Sequence, residues 1–360
     1  MAFFQKVISL LLPNPSDTII KTTKVPMKNI KKIVCFSNTA IGDTIFNTPV
    51  FRILKKNFPD KELVVLMNPR NYQLFETNPY IDKIILYNGK SKNFLSALTQ
   101  LKKEKPELIL ILHSNEPQAT PLAVLSGAKY IFKLPNENNP FSKWHSNPII
   151  ANNYFRNAIT TRLLFLNFLD ISPPLCARTE IFLKKEWEIE ALKKLPPFKK
   201  LIGFQIGAST ISRQWLMERW IELGKKILVS YPEVSIILTG SSNEKEKADK
   251  IMEHLRNKRV FNLTGELSLG GASALISKLN LLITPDTGPL HIAASLGVPT
   301  IALFAVANHK GTNPCFDRDI HLYIQKNKVC SPCVSKKCKY PKCMLQITAD
   351  EVMEKIKGVL

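Results

Sequence analysis

The sequence contains no apolar run long enough to cross a membrane. A spanning helix needs ~20 consecutive apolar residues, and the first apolar stretch, residues 2–12, already ends at Pro13. This stretch also lacks the basic leading segment and small-residue cleavage site of a signal peptide, so we do not expect its removal. We expect it to pack on the protein as an added helix. The alternative is an interfacial helix on the inner membrane leaflet.

Acidic residues are few. The chain has 29 Asp and Glu against 50 Lys and Arg, which gives a formal net charge of +21. The basic residues are spread along the chain and are not confined to one tail. Such a balance predicts an acidic partner, which can be nucleic acid, an anionic membrane or a phosphorylated substrate. The length of 360 residues and the hydrophobic fraction of 45% predict two domains with full cores.

Cysteine is scarce as well, with seven residues in the chain, which excludes a secreted scaffold held together by disulfides. Four of the seven are close in sequence near the C-terminus: Cys330, Cys333, Cys338 and Cys343. Four thiolates at this spacing can bind zinc or iron tetrahedrally, although the two longer spacings differ from those of common zinc ribbons. We therefore predict a structural Zn or Fe site in a reducing compartment. The surrounding lysines favour anionic lipid, or simply solvate the loop.

The chain also lacks the G-x-G-x-x-G fingerprint of dinucleotide-binding proteins, yet its first turn suits a ligand. Residues 31–37 have the pattern of a buried strand, a loop is predicted at 38–44, and a helix is predicted to follow. Gly42 allows the chain to turn tightly. Asp43 is expected at the carboxyl end of the strand, which is the usual ligand edge of a parallel sheet. The alternative is that Asp43 only caps the helix.

A second strand–helix–strand unit is predicted over residues 281–304. Its first strand stops at Asp286 and Thr287, and Gly288 and Pro289 open the helix. The unpaired N–H groups and the dipole at such a helix start bind phosphate readily. Asp286 cannot itself be a phosphate ligand, so we expect it to fix the loop or to meet a hydroxyl. The alternative is a tight turn without a ligand.

Two stretches resemble the signatures of one enzyme family. D-T-G-P-L-H-I-A-A-S-L-G-V-P-T, beginning at Asp286, resembles the C-terminal signature of the ADP-heptose:lipopolysaccharide heptosyltransferases, glycosyltransferase family 9. I-G-D-T-x-x-x-T-P, beginning at Ile41, resembles their N-terminal signature. The resemblance covers roughly residues 31–358. It implies an α/β fold of the GT-B type, in which two Rossmann-like, doubly wound domains face a cleft, and it gives Asp43 the role of catalytic base.

The resemblance implies a donor site in the second domain. Residues 207–215 resemble the family's G-A-x(n)-K-x-W step, with Arg213 in place of the lysine. Arginine offers a planar fork for phosphate oxygens, so we expect it to keep the role. Glu244 is implied at the nucleotide ribose, or serves only as a carboxylate at a helix start. The implied donor-binding residues are Gly207, Ser209, Thr210, Glu244, Asp286, Thr287, Gly288, Pro289 and His291. After Phe304 the chain departs from the family's G-P-T, and contacts to the donor there are in doubt.

The acceptor is expected on the first domain. The predicted strand 108–113 ends in His113 at the ligand edge, where a histidine can touch the acceptor but is more often structural. A polar loop at 135–160 presents Lys143, Trp144 and His145 as candidates to face an anionic acceptor. The acceptor-binding residues predicted here are Gly42, Thr44, His113 and Lys143.

The expected segments are an N-terminal extension and linker at 1–28, an acceptor-binding Rossmann-like domain at 29–175, a nucleotide-sugar-binding Rossmann-like domain at 176–345 that includes the cysteine cluster, and a C-terminal helix at 346–360. In GT-B enzymes such a final helix often crosses back to the first domain. A helix that carries Arg156 and Arg162 is predicted over residues 154–168.

The resemblance implies an inverting glycosyltransferase that moves heptose from ADP-heptose to the inner core of lipopolysaccharide, on Kdo–lipid A or a heptosylated core. Such an enzyme needs no cofactor for its chemistry, is cytoplasmic and peripheral on the inner membrane, and is not expected to bind nucleic acid. One alternative is a member of the same family that modifies a protein such as an autotransporter. Others are a metal-stabilised nucleic-acid-binding protein and, with less support, a nucleotide-sugar epimerase.

Overall fold

The computed structural model describes residues 2–151, 157–197, 200–334 and 337–360. The chain divides into two compact units, Met1–Glu180 and Ile181–Leu360. Each unit is built on its own parallel sheet with helices, as the predicted α/β class requires. Among the described helices, none has the length and apolar character that a bilayer crossing demands.

The sheet of the first unit has the strand order β3-β2-β1-β4-β5, and all its neighbours are parallel. Its strands are β1 Lys32–Ser37, β2 Glu62–Met67, β3 Lys83–Leu86, β4 Leu108–His113 and β5 Tyr130–Lys133. The order reverses between β1 and β4, and ligands of such sheets bind at this switch point, outside the carboxyl ends of the strands. Ser37 and His113, the last residues of β1 and β4, pair there.

The helices around the first sheet are α1 Ala2–Leu11, α2 Pro15–Thr18, α3 Ile41–Asn57, α4 Tyr72–Phe75, α5 Phe94–Glu104, α6 Ala119–Leu125 and α7 Ala158–Leu163. As expected, α1 packs on the protein: Ile8 is buried in the core of this unit, and the ring of Phe4 meets Phe94 edge to face at 5.6 Å. The predicted helix over 154–168 is shorter here, because a 3-10 segment continues α7 from Leu164 to Leu169. Arg156 lies outside the described residues.

The start of α3 differs from the prediction in a way that matters for the site. The predicted loop over residues 38–44 is wrong at its end, because the helix already begins at Ile41. Ala40 is extended and serves as the N-cap residue, and its carbonyl accepts the N–H of Thr44. Gly42 and Asp43 therefore belong to the first helical turn.

The second unit has a six-stranded parallel sheet in the order β11-β10-β9-β6-β7-β8. Its strands are β6 Lys200–Gln205, β7 Val234–Thr239, β8 Val260–Asn262, β9 Leu281–Pro285, β10 Thr300–Phe304 and β11 His321–Gln325. The order reverses between β6 and β9, so the loops that follow these two strands flank the switch point of this sheet. The predicted donor residues Arg213 and Asp286 lie in these two loops, whereas Glu244 lies after β7.

The helices of the second unit are α8 Lys185–Leu192, α9 Met217–Ser230, α10 Lys245–Leu255, α11 Leu269–Ser277, α12 Gly288–Ser295, α13 His309–Thr312, α14 Lys342–Leu345 and α15 Ala349–Lys357. The last helix buries Val352 and Ile356 in the core of the second unit. Trp215, at the end of the loop after β6, is also buried and donates its indole N–H to the carbonyl of Ile347 at 3.1 Å.

Candidate active-site residues and family

Three polar side chains of the first unit meet at its switch point. The hydroxyl of Thr39, in the loop after β1, lies 3.1 Å from Oδ2 of Asp43 and 2.6 Å from Nδ1 of His113. Nε2 of His113 is 3.5 Å from Oδ1 of Asp43. Since Thr39 has a single hydroxyl proton, it can donate to only one of its two neighbours at a time. It links the carboxylate and the imidazole into one cluster, which we call the Asp43 cluster (Thr39, Asp43 and His113).

The environment of His113 keeps the imidazole neutral. Burial lowers the pKa of His113 to about 4, and the nearby positive charge of Arg162 acts in the same direction. Asp43 opposes this shift without overcoming it. At neutral pH the cluster thus contains an uncharged imidazole beside the carboxylate. The imidazole can orient a hydroxyl or the carboxylate, but its low pKa makes it a weak base.

Asp43 does not cap the helix, contrary to the alternative interpretation of the sequence. It is the third residue of α3, Ala40 is the N-cap, and no side chain caps this helix end. About a quarter of the Asp43 side chain, 26%, is exposed, so the carboxylate can be reached from solvent.

Two of the predicted acceptor-binding residues, Gly42 and Thr44, are buried at the start of α3. Thr44 is completely buried, and its hydroxyl donates to the carbonyl of Ser37 at 3.2 Å and accepts from Nδ2 of Asn71 at 2.9 Å. The prediction that Thr44 contacts the acceptor is wrong, because this hydroxyl is enclosed and holds the turn together. Gly42 is buried in the first turn of α3 and has only backbone atoms to offer.

The loop at 135–160 is packed more closely than predicted. Trp144 and His145 are buried, so the expectation that they face an acceptor is wrong. His145 accepts or donates a hydrogen bond at Nε2 with the hydroxyl of Thr120 at 3.0 Å, and burial lowers its pKa to about 3. Lys143 remains exposed, and its ammonium lies 4.4 Å from the centre of the Trp144 ring in a cation–π contact.

At the switch point of the second unit, a buried carboxylate holds a basic side chain. Asp286, which follows β9, is 4% exposed, and its Oδ2 lies 3.4 Å from Nη1 of Arg213. Its Oδ1 accepts the hydroxyl of Thr312 at 3.0 Å and lies 4.0 Å from Nε2 of His291. Arg213 stays partly open, with 40% of its side chain exposed. Asp286 therefore accepts a hydroxyl from within the protein, and it also fixes the direction of the arginine side chain.

The helix start after Asp286 has the predicted form. Thr287 is the extended N-cap residue of α12, and proline occupies one of the first two helical positions. The hydroxyl of Thr287 lies 3.2 Å from that of Thr284, so it does not cap the helix with its side chain. The first backbone N–H groups of a helix that begins this way can meet an anion.

Glu244 lies directly over Gly207. Its Oε2 accepts two hydrogen bonds from Ser241, from the N–H at 2.7 Å and from the hydroxyl at 2.5 Å, which completes a capping box. A Cβ atom on Gly207 would lie 2.5 Å from Cδ and 2.7 Å from Oε1 of Glu244. Glycine is therefore needed at position 207 because the carboxylate comes so close. The local cap and a contact to the donor are compatible roles for Glu244.

The loop between β6 and α9 is held at its carbonyl groups. Gln205 donates to the carbonyl of Gly207 at 3.3 Å, and Gln214 donates to that of Ala208 at 3.2 Å. Lys247 of α10 reaches both ends of the loop, at 3.4 Å from the carbonyl of Ile206 and 3.2 Å from that of Trp215. Lys247 was not predicted, because nothing in the pattern of its charged helix distinguishes this lysine from its neighbours. Of the two predicted hydroxyl ligands, Ser209 is exposed, and Thr210 pairs with Ser212 at 3.0 Å.

The comparison with protein families identifies the family of this chain. The model of glycosyltransferase family 9 (heptosyltransferase) matches residues 151–344, which is more than half of the chain. The chain belongs to glycosyltransferase family 9. It is therefore a glycosyltransferase, and its relatives include a lipopolysaccharide core heptosyltransferase of Haemophilus influenzae, which is 24% identical over 79% of this chain and 82% of that protein.

Relatives of family 9 match over nearly the whole chain. Lipooligosaccharide heptosyltransferase 2 of Campylobacter jejuni is 26% identical over 339 residues, which are 91% of this chain and 98% of that protein. The structure of Escherichia coli ADP-heptose lipopolysaccharide heptosyltransferase II has a TM-score of 0.74 at 18% identity and covers 91% of this chain and 98% of its own. E. coli heptosyltransferase WaaC with ADP-2-deoxy-2-fluoro heptose gives 0.66 at 17% identity, covering 91% and 99%. These structures support the GT-B fold with two Rossmann-like domains.

The segment after Phe304, where the sequence lacks the G-P-T expected from the resemblance, is attached to the site. Thr312 of α13 donates to Asp286, and this hydrogen bond attaches the divergent segment to the Arg213–Asp286 pair. The ring of His309 stacks on Tyr323 at 3.9 Å, which fixes the start of α13. The segment therefore supports the site through contacts that sequence reasoning did not identify.

The predicted metal ligands do not form a preassembled site. Cys330 and Cys333 are exposed, Cys343 is buried, and Sγ of Cys338 lies 3.3 Å from the carbonyl of Tyr340. In the described part of the chain, no group of three or more Cys, His, Asp or Glu side chains is arranged to hold a metal ion. Metal binding by these four cysteines stays a prediction, and the mechanism below uses none of them.

Proposed function

We propose that this chain is an inverting heptosyltransferase that moves heptose from ADP-heptose to the inner core of lipopolysaccharide, either Kdo–lipid A or an already heptosylated core. One observation supports the proposal: both family signatures begin just after strands that flank the switch points of their sheets, β1 in the first unit and β9 in the second. The first presents the solvent-accessible carboxylate of Asp43, and the second presents a helix start and Asp286, which holds the guanidinium of Arg213 beside it. These are the groups that a glycosyl transfer from a nucleotide diphosphate sugar requires.

The donor diphosphate binds in the second unit. Arg213, held by Asp286, offers its planar guanidinium to the phosphate oxygens, and the backbone N–H groups near Thr287 and Gly288 supply neutral donors. The hydroxyls of Ser209 and Thr210 complete this set, and Glu244 accepts from the ribose hydroxyls. A similarly folded enzyme was solved with an ADP-heptose analogue, which supports a donor of this kind.

The chemical step is a single displacement. Asp43 takes the proton of the attacking acceptor hydroxyl while the oxygen of that hydroxyl bonds to the anomeric carbon of heptose. The bond from that carbon to the diphosphate oxygen breaks, so ADP leaves and the configuration inverts. Arg213 and the start of α12 stabilise the negative charge that grows on the leaving diphosphate. His113 stays neutral and, through Thr39, keeps the Asp43 carboxylate in position.

Transfer of labelled heptose tests the substrates directly. Purified protein is given labelled ADP-heptose with Kdo–lipid A, with a heptosylated core, or with an unfolded or autotransporter-type polypeptide. We expect label on one of the two lipid acceptors, and we expect UDP-glucose to be a poor donor. Label on the polypeptide alone would contradict a lipid acceptor and favour protein glycosylation. The absence of transfer from ADP-heptose to any of the acceptors would refute the proposed function.

The enzyme must reach a lipid acceptor, and α1 offers a surface for this. While Ile8 packs inward, Leu10 and Leu11 are 87% and 62% exposed, and Val7 shares their face of the helix. Together with the net charge of +21, this face suits the anionic inner leaflet of the inner membrane, where the enzyme acts as a cytoplasmic peripheral protein.

Vesicle flotation tests this contact. With phosphatidylglycerol vesicles, we expect the Leu10→Glu/Leu11→Glu variant to bind less than the wild-type protein. Leu192→Glu, which adds charge at an exposed leucine of α8 in the other unit, serves as the matched control and should bind normally. Equal binding of all three proteins would exclude α1 as the membrane contact.

A further inference from the structure

Lys247 is a half-buried lysine of α10 whose ammonium contacts backbone carbonyl groups. Two other lysines of this helix have carboxylate partners: Lys245 pairs with Glu266 at 2.9 Å, and Lys250 pairs with Glu246 at 2.6 Å. Lys247 forms no ion pair in the part of the chain that the structure describes. Since moving an ammonium out of water without a countercharge costs free energy, this placement indicates that the two carbonyl groups need to be held.

The two carbonyl groups lie at opposite ends of the loop between β6 and α9. Nζ of Lys247 is 3.4 Å from the carbonyl oxygen of Ile206, which directly follows β6, and 3.2 Å from that of Trp215, near the start of α9. The residues between them include Arg213 and the two predicted hydroxyl ligands. One ammonium therefore closes this loop at its base, which limits the conformations that the loop can adopt before a donor binds.

Three successive backbone N–H groups of this loop have no hydrogen-bond acceptor among the described residues: those of Gly207, Ala208 and Ser209. The carbonyl group of each of these three peptide units is held by a side chain, which belongs to Lys247, Gln205 and Gln214 in turn. The peptide bonds are trans, so each N–H points away from the side chain that holds its carbonyl. The three N–H groups are therefore left to an acceptor that a ligand supplies.

We propose that Lys247 is a positioning residue for the donor diphosphate. It holds the loop of residues 207–215 in an arrangement in which the backbone N–H groups of residues 207–209 and the guanidinium of Arg213 face the phosphate oxygens. Gln205 and Gln214 assist by holding the carbonyl groups within the loop. Lys247 does not touch the donor, since its effect passes through the loop. This inference rests on the proposed function, because it takes the donor to be a nucleotide diphosphate sugar.

Calorimetry of ADP binding to Lys247 variants tests this role. Lys247→Met removes the ammonium and keeps the apolar stem, whereas Lys247→Arg keeps the charge. Lys250→Met, which removes an exposed lysine from the same helix, is the matched control. We expect Lys247→Met to weaken ADP binding about 10-fold, Lys247→Arg to regain part of the loss, and the control to stay within about twofold of wild type.

Adenosine separates a positioning role from a merely structural one, because it lacks the diphosphate. Its affinity is measured by displacement of ADP, and for Lys247→Met it should stay within about twofold of wild type while the ADP affinity falls. A second variant, Gln214→Met, releases only the carbonyl of Ala208. It should show a smaller loss of the same kind, weaker ADP binding with unchanged adenosine binding, and it keeps the test decisive if Lys247→Met does not fold.

Two results would overturn the proposal. One is an equal loss of ADP and adenosine affinity, because Lys247 would then only stabilise the fold. The other is an ADP affinity within about twofold of wild type in Lys247→Met, or in Gln214→Met where Lys247→Met does not fold. Failure of the proposed function gives a different result, since the wild-type protein itself would then bind no ADP.

Discussion

Substitution of Gly207 by alanine perturbs the donor site at its tightest point. The added Cβ would lie 2.5 Å from Cδ, 2.7 Å from Oε1 and 2.8 Å from Cγ of Glu244. Real Cβ atoms do not approach other heavy atoms this closely, so either the loop or Glu244 must move. Glu244 resists movement because two hydrogen bonds from Ser241 hold its carboxylate at 2.7 and 2.5 Å.

The size of the effect follows from these contacts. Inserting a methyl group into a closely packed site costs about 1–3 kcal/mol. Moving the carboxylate also breaks its two hydrogen bonds with Ser241, but both are exposed to solvent, so water replaces them and their loss adds little. Relaxation allows only part of both losses to appear. We expect Gly207→Ala to lower the free energy of unfolding by about 1–3 kcal/mol and to weaken ADP binding at least tenfold.

Urea unfolding and ADP calorimetry measure the two effects, and a second substitution isolates the cause. Glu244→Ala removes the three atoms nearest to the added Cβ. The double variant Gly207→Ala/Glu244→Ala should then be no less stable than Glu244→Ala alone, within about 0.5 kcal/mol. Gly358→Ala is the control, since its Cβ would meet only the Lys355 carbonyl oxygen at an ordinary 3.7 Å.

The reasoning would be refuted if Gly207→Ala matched the wild-type protein in stability. It would also fail if the double variant lost the full sum of the two single effects, because the conflict would then lie elsewhere than at Glu244.

Three further predictions concern other parts of the chain. His145 is completely buried and its pKa is lowered to about 3, so only the unfolded chain binds a proton at this residue as the pH falls below about 6.5. Protonation of His145 in the unfolded chain should lower the free energy of unfolding by about 2 kcal/mol between pH 7 and pH 5. Urea unfolding at both pH values should show this loss in the wild-type protein and not in His145→Asn. Asp286→Asn releases Arg213 and should weaken ADP-heptose binding about tenfold, while adding it to Arg213→Gln should change little, as calorimetry can show. Metal analysis of protein purified without chelator tests the cysteine cluster, where about one Zn or Fe per chain that disappears in Cys343→Ser would show that the cysteine segment rearranges to bind a metal.

The two turns that define the site were predictable because each depends on local chemistry. An apolar strand that stops at Asp286 and continues into Gly288 and Pro289 specifies a helix start at a sheet edge, and the structure has α12 there. The early start of α3 was missed because Ala40, its N-cap, has no side chain that signals a cap. Asp43 was still placed correctly near the end of β1, since a shift of one helical turn leaves it at the same sheet edge.

The residues that support the site could not be predicted, because their contacts join distant parts of the sequence. Thr312 reaches Asp286, Lys247 reaches two carbonyl groups of the β6–α9 loop, and Arg162 influences Asp43. Nothing in the local pattern around these residues indicates a partner. For the loop at 135–160 the error was the reverse, because its polar side chains predicted an exposed surface. Asn136, His145 and Asn147 are instead buried and form hydrogen bonds inside the first unit.

The central claim is that Asp43 is the base of the transfer, and single-turnover kinetics of Asp43→Asn tests it most directly. Asparagine keeps the size of the side chain and removes its ability to take a proton. With saturating labelled ADP-heptose and the preferred lipid acceptor, we expect transfer to slow by about 10²- to 10⁴-fold, while ADP affinity stays within about twofold of wild type. Transfer at a rate within tenfold of wild type would contradict the claim.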